Sequence, residues 1–118
     1  MDRNEKLKNM SFEKLYGCLV AKVERKGRTR NDVDTVTSWL TGYTSQQIDE
    51  MMSDGTTYGS FIDHAPAWNP LFTKITGRIC NVRVEESEDS FMRKVRCLDK
   101  LVDDLAKGKS IEKIILKA

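Results

Sequence analysis

Between Asp89 and Gly108 the chain reads DSFMRKVRCLDKLVDDLAKG, and within it Phe91, Met92, Val95, Leu98, Leu101, Val102 and Leu105 recur at steps of three and four residues. Such spacing lays apolar side chains along one broad stripe of an α-helix, and a stripe that wide must be covered by other elements. Ser87 or Asp89 caps the free amides of the first turn, where the charges of Glu88 and Asp89 also suit the positive end of the helix dipole. Gly108 ends the helix, because glycine takes the left-handed conformation that closes one. On the outer face the charges alternate, so that Arg96 can meet Asp99 and Lys100 can meet Asp103 or Asp104. Pairs of this kind contribute about 0.2–0.5 kcal/mol each, and the face reads as solvated, with no site on it.

The other segments read as helices that fold around this spine. Ser11 opens one carrying Phe12, Leu15, Tyr16, Leu19 and Val23, which ends near Lys26 and Gly27 with Arg25 and Lys26 in its last turn. Thr29 and Asp32 have capping-box spacing, with Asp in place of Glu, and start a helix whose inner face is Val33, Val36, Trp39 and Leu40, with Tyr43 beyond Gly42. Thr44 and Gln47 form a full Thr-x-x-Gln box for a helix bearing Ile48, Met51 and Met52, stopped by Gly55. A short helical piece around Tyr58, Phe61 and Ile62 leads into the proline-bearing loop Ala65 to Pro70, and Ser110 caps a last helix with Ile111, Ile114 and Ile115.

After Pro70 two readings compete. Leu71, Phe72, Ile75, Ile79 and Val82 keep helical spacing, whereas Cys80, Val82 and Val84 alternate with Asn81, Arg83 and Glu85 as a half-buried strand would. Helix is preferred, because no second strand pattern is present to satisfy the backbone of the first. The expectation is a single all-α domain over residues 1–118, of about five or six short helices, with the 90–107 helix packed on the 33–43 helix and on the first. The alternative is an α+β arrangement with a small sheet including residues 78–85.

At 118 residues the chain can bury a core without disulfide or metal staples. No apolar run approaches the roughly 20 residues that span a bilayer, and MDRNEKLKNM lacks the apolar centre of a secretion signal, so a cytoplasmic protein with no membrane partner is expected. Cys18, Cys80 and Cys97 are far apart and read as buried reduced thiols; with His64 the only histidine, no metal site and no cofactor are expected.

The net charge of +2 conceals a segregation: nine bases against four acids up to Arg30, six acids and no base from Asn31 to Pro70, eleven bases against eight acids thereafter. Arg25, Lys26, Arg28 and Arg30 cluster around Gly27 at the junction of two helices, where free amides also point outward, and form a corner that either binds a polyanion or pairs with the acidic middle. The two helices from Thr29 to Met52 have the outline of a helix-turn-helix, with Thr44 to Gln47 placed to reach base edges. Thr37 and Thr41 stand where that motif needs apolar residues, and Asp49, Glu50 and Asp54 would repel phosphates. Trp68, between two prolines, is a lid on the core or an exposed anchor for a partner.

The segments AKVERKGRT (Ala21 to Thr29), WLTGYT (Trp39 to Thr44), the Ala65-Pro66 and Asn69-Pro70 pairs, VRVEE (Val82 to Glu86) and LDKLVDDLAKGKSIEKI (Leu98 to Ile114) resemble a family of small bacterial proteins catalogued as domain of unknown function 2200. The resemblance spans the chain and implies no activity, ligand or catalytic residue. Functional expectations therefore rest on the residues. The leading one is a non-enzymatic protein-interaction or regulatory domain, with a protein partner or self-association. The second is nucleic-acid or phosphate-ligand binding through Arg25 to Arg30. The third is an enzyme with a site near His64, which follows Asp63 but belongs to no nucleophile or phosphate-loop motif.

Overall fold

In the computed structural model, which describes residues 3–69, 78–79, 82–83 and 90–116, most helices begin at a side chain that satisfies their first free amides. Arg3–Lys8 forms α1 and Phe12–Glu24 forms α2, whose amide at Lys14 donates to the Ser11 hydroxyl at 3.3 Å. Arg30–Thr41 is α3. Ser45–Ser53 is α4, and its reciprocal box is complete: Gln47 N donates to Thr44 Oγ1 at 3.1 Å and Thr44 N to Gln47 Oε1 at 2.9 Å. Tyr58–Asp63 is α5, capped by Thr57. Arg78–Ile79 and Val82–Arg83 form strands β1 and β2, Ser90–Ala106 is α6, and Ile111–Leu116 is α7, opened by Ser110.

The fold is all-α, with seven helices among the described residues. The additional one is α1, whose charged sequence carries no stripe to announce it. The box expected at Thr29 does not form: Thr29 takes the cap conformation without a side-chain bond, and Asp32 is held by Arg28 at 3.3 Å. The helical reading is corrected at residues 78–79 and 82–83, since β1 and β2 pair antiparallel with Arg78 opposite Arg83 and Ile79 opposite Val82. The strand pattern finds its partner in its own immediate neighbour, so no distant strand is needed. The helix start at Pro70 and the caps at Ser87 and Asp89 lie outside the described residues.

The spine is inside. Leu98, Val102 and Leu105 are fully buried, with Phe91, Val95 and Leu101 nearly so, and α6 packs chiefly on α2 and α3. From α3 come Val33, Val36 and Leu40, and from α4 Ile48. Trp39, expected on the inner face, is half-buried at the margin. A second, aromatic half of the core joins α2 to α5: Phe12 stacks on Tyr16 with centroids 4.9 Å apart and meets Phe61 at 4.6 Å, and Tyr43 stacks on Phe61 while donating its hydroxyl to the Phe61 carbonyl at 2.8 Å. Of the thiols, Cys97 is buried and its pKa is pushed up to about 11 by burial against the opposing charge of Arg93. Cys18 is exposed, contrary to expectation, and Cys80 lies outside the described residues.

One polar network crosses the interior. The Tyr16 hydroxyl donates to Asp34 at 2.6 Å and lies 3.3 Å from Thr37 Oγ1, while Arg30 reaches Asp34 at 3.5 Å and also binds Asp49 on α4. Burial and the Asp34 carboxylate both raise the Tyr16 pKa, so the phenol stays protonated and donates. Tyr16→Phe leaves Asp34, 7% exposed, without that donor, and is expected to destabilise the fold by about 1–2 kcal/mol in urea titrations. Gly17 is the reverse case: it interrupts α2, and a Cβ there would meet nothing within 4 Å. Gly17→Ala should raise stability by about 0.5–1 kcal/mol, read as a higher urea midpoint at unchanged slope.

Candidate binding groove

The basic corner is partly consumed by the fold. Arg28 bonds Asp32 and the carbonyls of Leu105 and Lys109, and Arg30 is held by Asp34 and Asp49, so two of its four cations already face carboxylates of the acidic middle. Arg25 and Lys26 are exposed, Arg25 folding back on the Ala21 carbonyl at 3.3 Å. In the α3–α4 pair, Thr37 and Thr41 are buried and Thr44 and Gln47 are occupied by their cap, while Asp49 and Glu50 are exposed beside them. Trp68 packs half-buried against the core beneath the Lys94 ammonium, 5.1 Å from the ring centroid. His64 is exposed at the end of α5, with Nδ1 3.0 Å from both the hydroxyl and the carbonyl oxygen of Ser60, and the adjacent Asp63 is exposed too.

A different place gathers chemistry. Two linkers run antiparallel, with Phe12 N donating to Thr56 O at 2.9 Å and Tyr58 N to Met10 O at 2.8 Å, which sets α5 beside the start of α2. Gly59 lets α1 close in, since a Cβ there would stand 2.8 Å from the Lys8 Cβ, and the Lys8 ammonium sits 5.0 Å from the centroid of Phe91 on α6. Between α1, α2, α5 and α6 this leaves a groove of about 240 Å³, lined by Leu7, Leu15, Cys18, Leu19, Tyr58, Met92, Val95, Arg96 and Asp99. Most of its wall is aliphatic. Tyr58, Arg96 and Asp99 supply polar atoms, and among the described residues none of the three side chains makes a hydrogen bond or ion pair.

The reason lies one turn along. Lys22, one turn beyond the groove residues Cys18 and Leu19 on α2, is bound to Asp103 at 3.0 Å, and Lys107 reaches the same carboxylate at 2.9 Å. Asp103 is thereby held below the usual carboxylate range: burial works against ionisation, but bonds from Lys107 and Lys22 outweigh it. Asp99 has no such bond, and burial pushes its pKa up to about 6, the charges of Lys22 and Arg96 opposing only in part. The Tyr58 phenol is raised as well, by burial and then by the Asp99 charge. Near neutral pH the groove therefore offers a carboxylate acceptor, a guanidinium donor and a phenol able to do either.

From the sequence, Tyr58 reads as core and the Arg96–Asp99 pair as part of a solvated face. The signal was there in weaker form: Met92, Arg96 and Asp99 fall at i, i+4 and i+7 on α6, and Leu15, Cys18 and Lys22 at i, i+3 and i+7 on α2, beside the buried stripes rather than opposite them. Among the described residues no group of three His, Cys, Asp or Glu could hold a metal ion, and no helix is long and apolar enough to cross a membrane.

No curated protein matches the chain. A solved structure, the crystal structure of uncharacterized protein SP1917, superposes with a TM-score of 0.92 at 47% sequence identity, covering 99% of this chain and 94% of that one. The model of the family described as an uncharacterized protein conserved in bacteria, DUF2200, matches residues 6–116, and the chain belongs to that family.

Proposed function

We propose that the chain is a non-enzymatic, cytoplasmic protein-interaction domain, a single helical unit whose docking surface is the groove between α1, α2, α5 and α6. One observation carries this reading. The body of Tyr58 is buried while its side chain lines an apolar groove together with Arg96 and Asp99, and none of the three makes a hydrogen bond or ion pair among the described residues. An apolar concavity with a few convergent polar groups is the usual form of a binding site, and these groups are open to a partner from outside. The size argues for a protein anchor: about 240 Å³ is below the roughly 300–1,000 Å³ of small-molecule sites and suits one apolar side chain.

Cys18 at the groove edge provides the test. Labelled there with a photoreactive maleimide, the protein should cross-link to a discrete partner in lysate of its source bacterium, and Leu19→Arg, which fills the groove with charge, should abolish the adduct. Absence of an adduct, or one indifferent to Leu19→Arg, overturns the reading. An adduct between two copies of the chain makes the partner a second copy and should accompany a dimer in light scattering.

A further inference from the structure

The groove's polar groups fit one kind of occupant. We propose that it takes an extended peptide segment, with an aliphatic side chain against Leu7, Leu15 and Leu19, a backbone N–H donated to Asp99 and a backbone carbonyl accepting from Arg96. This rests on the docking function above and adds the chemistry of what docks.

The charges favour a neutral polar ligand. A cation approaching Asp99 meets Arg96 and Lys22, and an anion approaching Arg96 meets Asp99, whereas an amide presents a donor to one and an acceptor to the other. Arg96 and Asp99 stand three residues apart on α6, so their Cβ atoms are roughly 5–6 Å apart, close enough to serve the two amides that flank one side chain. A helical partner does not meet the need. Its amides are bonded to one another, so its docked face would seal Asp99, Arg96 and the Tyr58 hydroxyl from water without replacing it. An extended residue brings one free donor and one free acceptor to the side chain it carries.

Titrating the 15N-labelled protein with N-acetyl-leucinamide should shift the amide signals of residues 15–19, 58 and 92–99. The N-methylated dimethylamide of the same residue, which has the side chain but no N–H, should bind about tenfold more weakly or worse. Asp99→Leu should equalise the two probes while the rest of the spectrum stays dispersed. If that variant does not fold, Arg96→Met should weaken N-acetyl-leucinamide by a similar factor. Equal binding of both probes at the groove of the unmodified protein overturns the backbone-reading inference and leaves docking standing. No shift at the groove with either probe removes both.

Discussion

Gly42→Ala is expected to destabilise the protein by about 3–5 kcal/mol, enough to unfold a marginal domain. Two separate penalties act at this residue. Its φ of +84° lies in the left-handed region, which costs an L-residue roughly 1–2 kcal/mol. The new Cβ would also stand 2.7 Å from the Ala67 Cβ and 2.8 Å from the Ala67 nitrogen. That contact matters because residues 67–69 close the C-terminal end of α3: Ala67 N donates to Thr41 O at 3.1 Å, Asn69 N to Leu40 O at 2.8 Å, and Asn69 Nδ2 to Trp39 O at 3.2 Å. Pushing the loop away exposes those carbonyls, at about 1 kcal/mol per bond. Gly27 supplies the control, with φ +83° and nothing within 4 Å of its added Cβ. Gly27→Ala should therefore show the conformational penalty alone. Ala67→Gly in the Gly42→Ala background should restore only part of the loss, since the nitrogen remains in the way. Equal urea midpoints for the Gly27 and Gly42 variants would show that the loop contact does not contribute.

Asp99→Asn should stabilise the protein by about 3 kcal/mol at pH 7 and by almost nothing at pH 4. The folded-state pKa of about 6 stands above the ordinary carboxylate value of 3.8, so the folded chain holds this proton more tightly than the unfolded one. Stability conferred by the neutral carboxyl is complete below about pH 4, declines as pH rises and is gone above about pH 6. Each unit of separation is about 1.4 kcal/mol, which sets the size of the gain when asparagine removes the charge. The groups facing Asp99 are Lys22 on α2, Arg96 on α6 and Tyr58 on α5. Asp103 has the opposite dependence, its lowered pKa lending stability that is lost in acid, so the quantity to measure is the difference between variant and wild type across pH. A difference that is flat from pH 4 to 7 would show that Asp99 is not desolvated. An occupied groove should shrink the difference, because an amide donor stabilises the carboxylate form.

Much of the architecture was legible because its causes are local. Thr44 and Gln47 bond to each other across three residues, and Gly27, Gly42, Gly55 and Gly108 each take positive φ beyond a helix, so spacing and residue type were enough to place those ends. The α6 stripe was legible because a helix buries every third or fourth side chain whatever covers it. The helical reading failed at residues 78–79 and 82–83 because it looked for a distant partner strand, whereas the pairing is between immediate neighbours. Trp39 was placed inside by helical spacing and Cys18 by residue type, but which edge of a helix stays open depends on how neighbouring helices abut it.

The amino-acid sequence by itself determined where most of the helices start and stop and which stripe of α6 is buried; it offered pairing of the acidic middle with the arginines before it as one of two alternatives, and Arg30 meets Asp34 and Asp49. Only the tertiary structure decided the groove. Arg96 and Asp99 could have paired on the helix surface or pointed to solvent. Which occurred was set by α1 closing over Gly59 and by Lys22 turning to Asp103, contacts that link residues up to 81 positions apart. Helical periodicity fixes the direction of a side chain relative to its own axis, and what waits in that direction is fixed only when the axes pack.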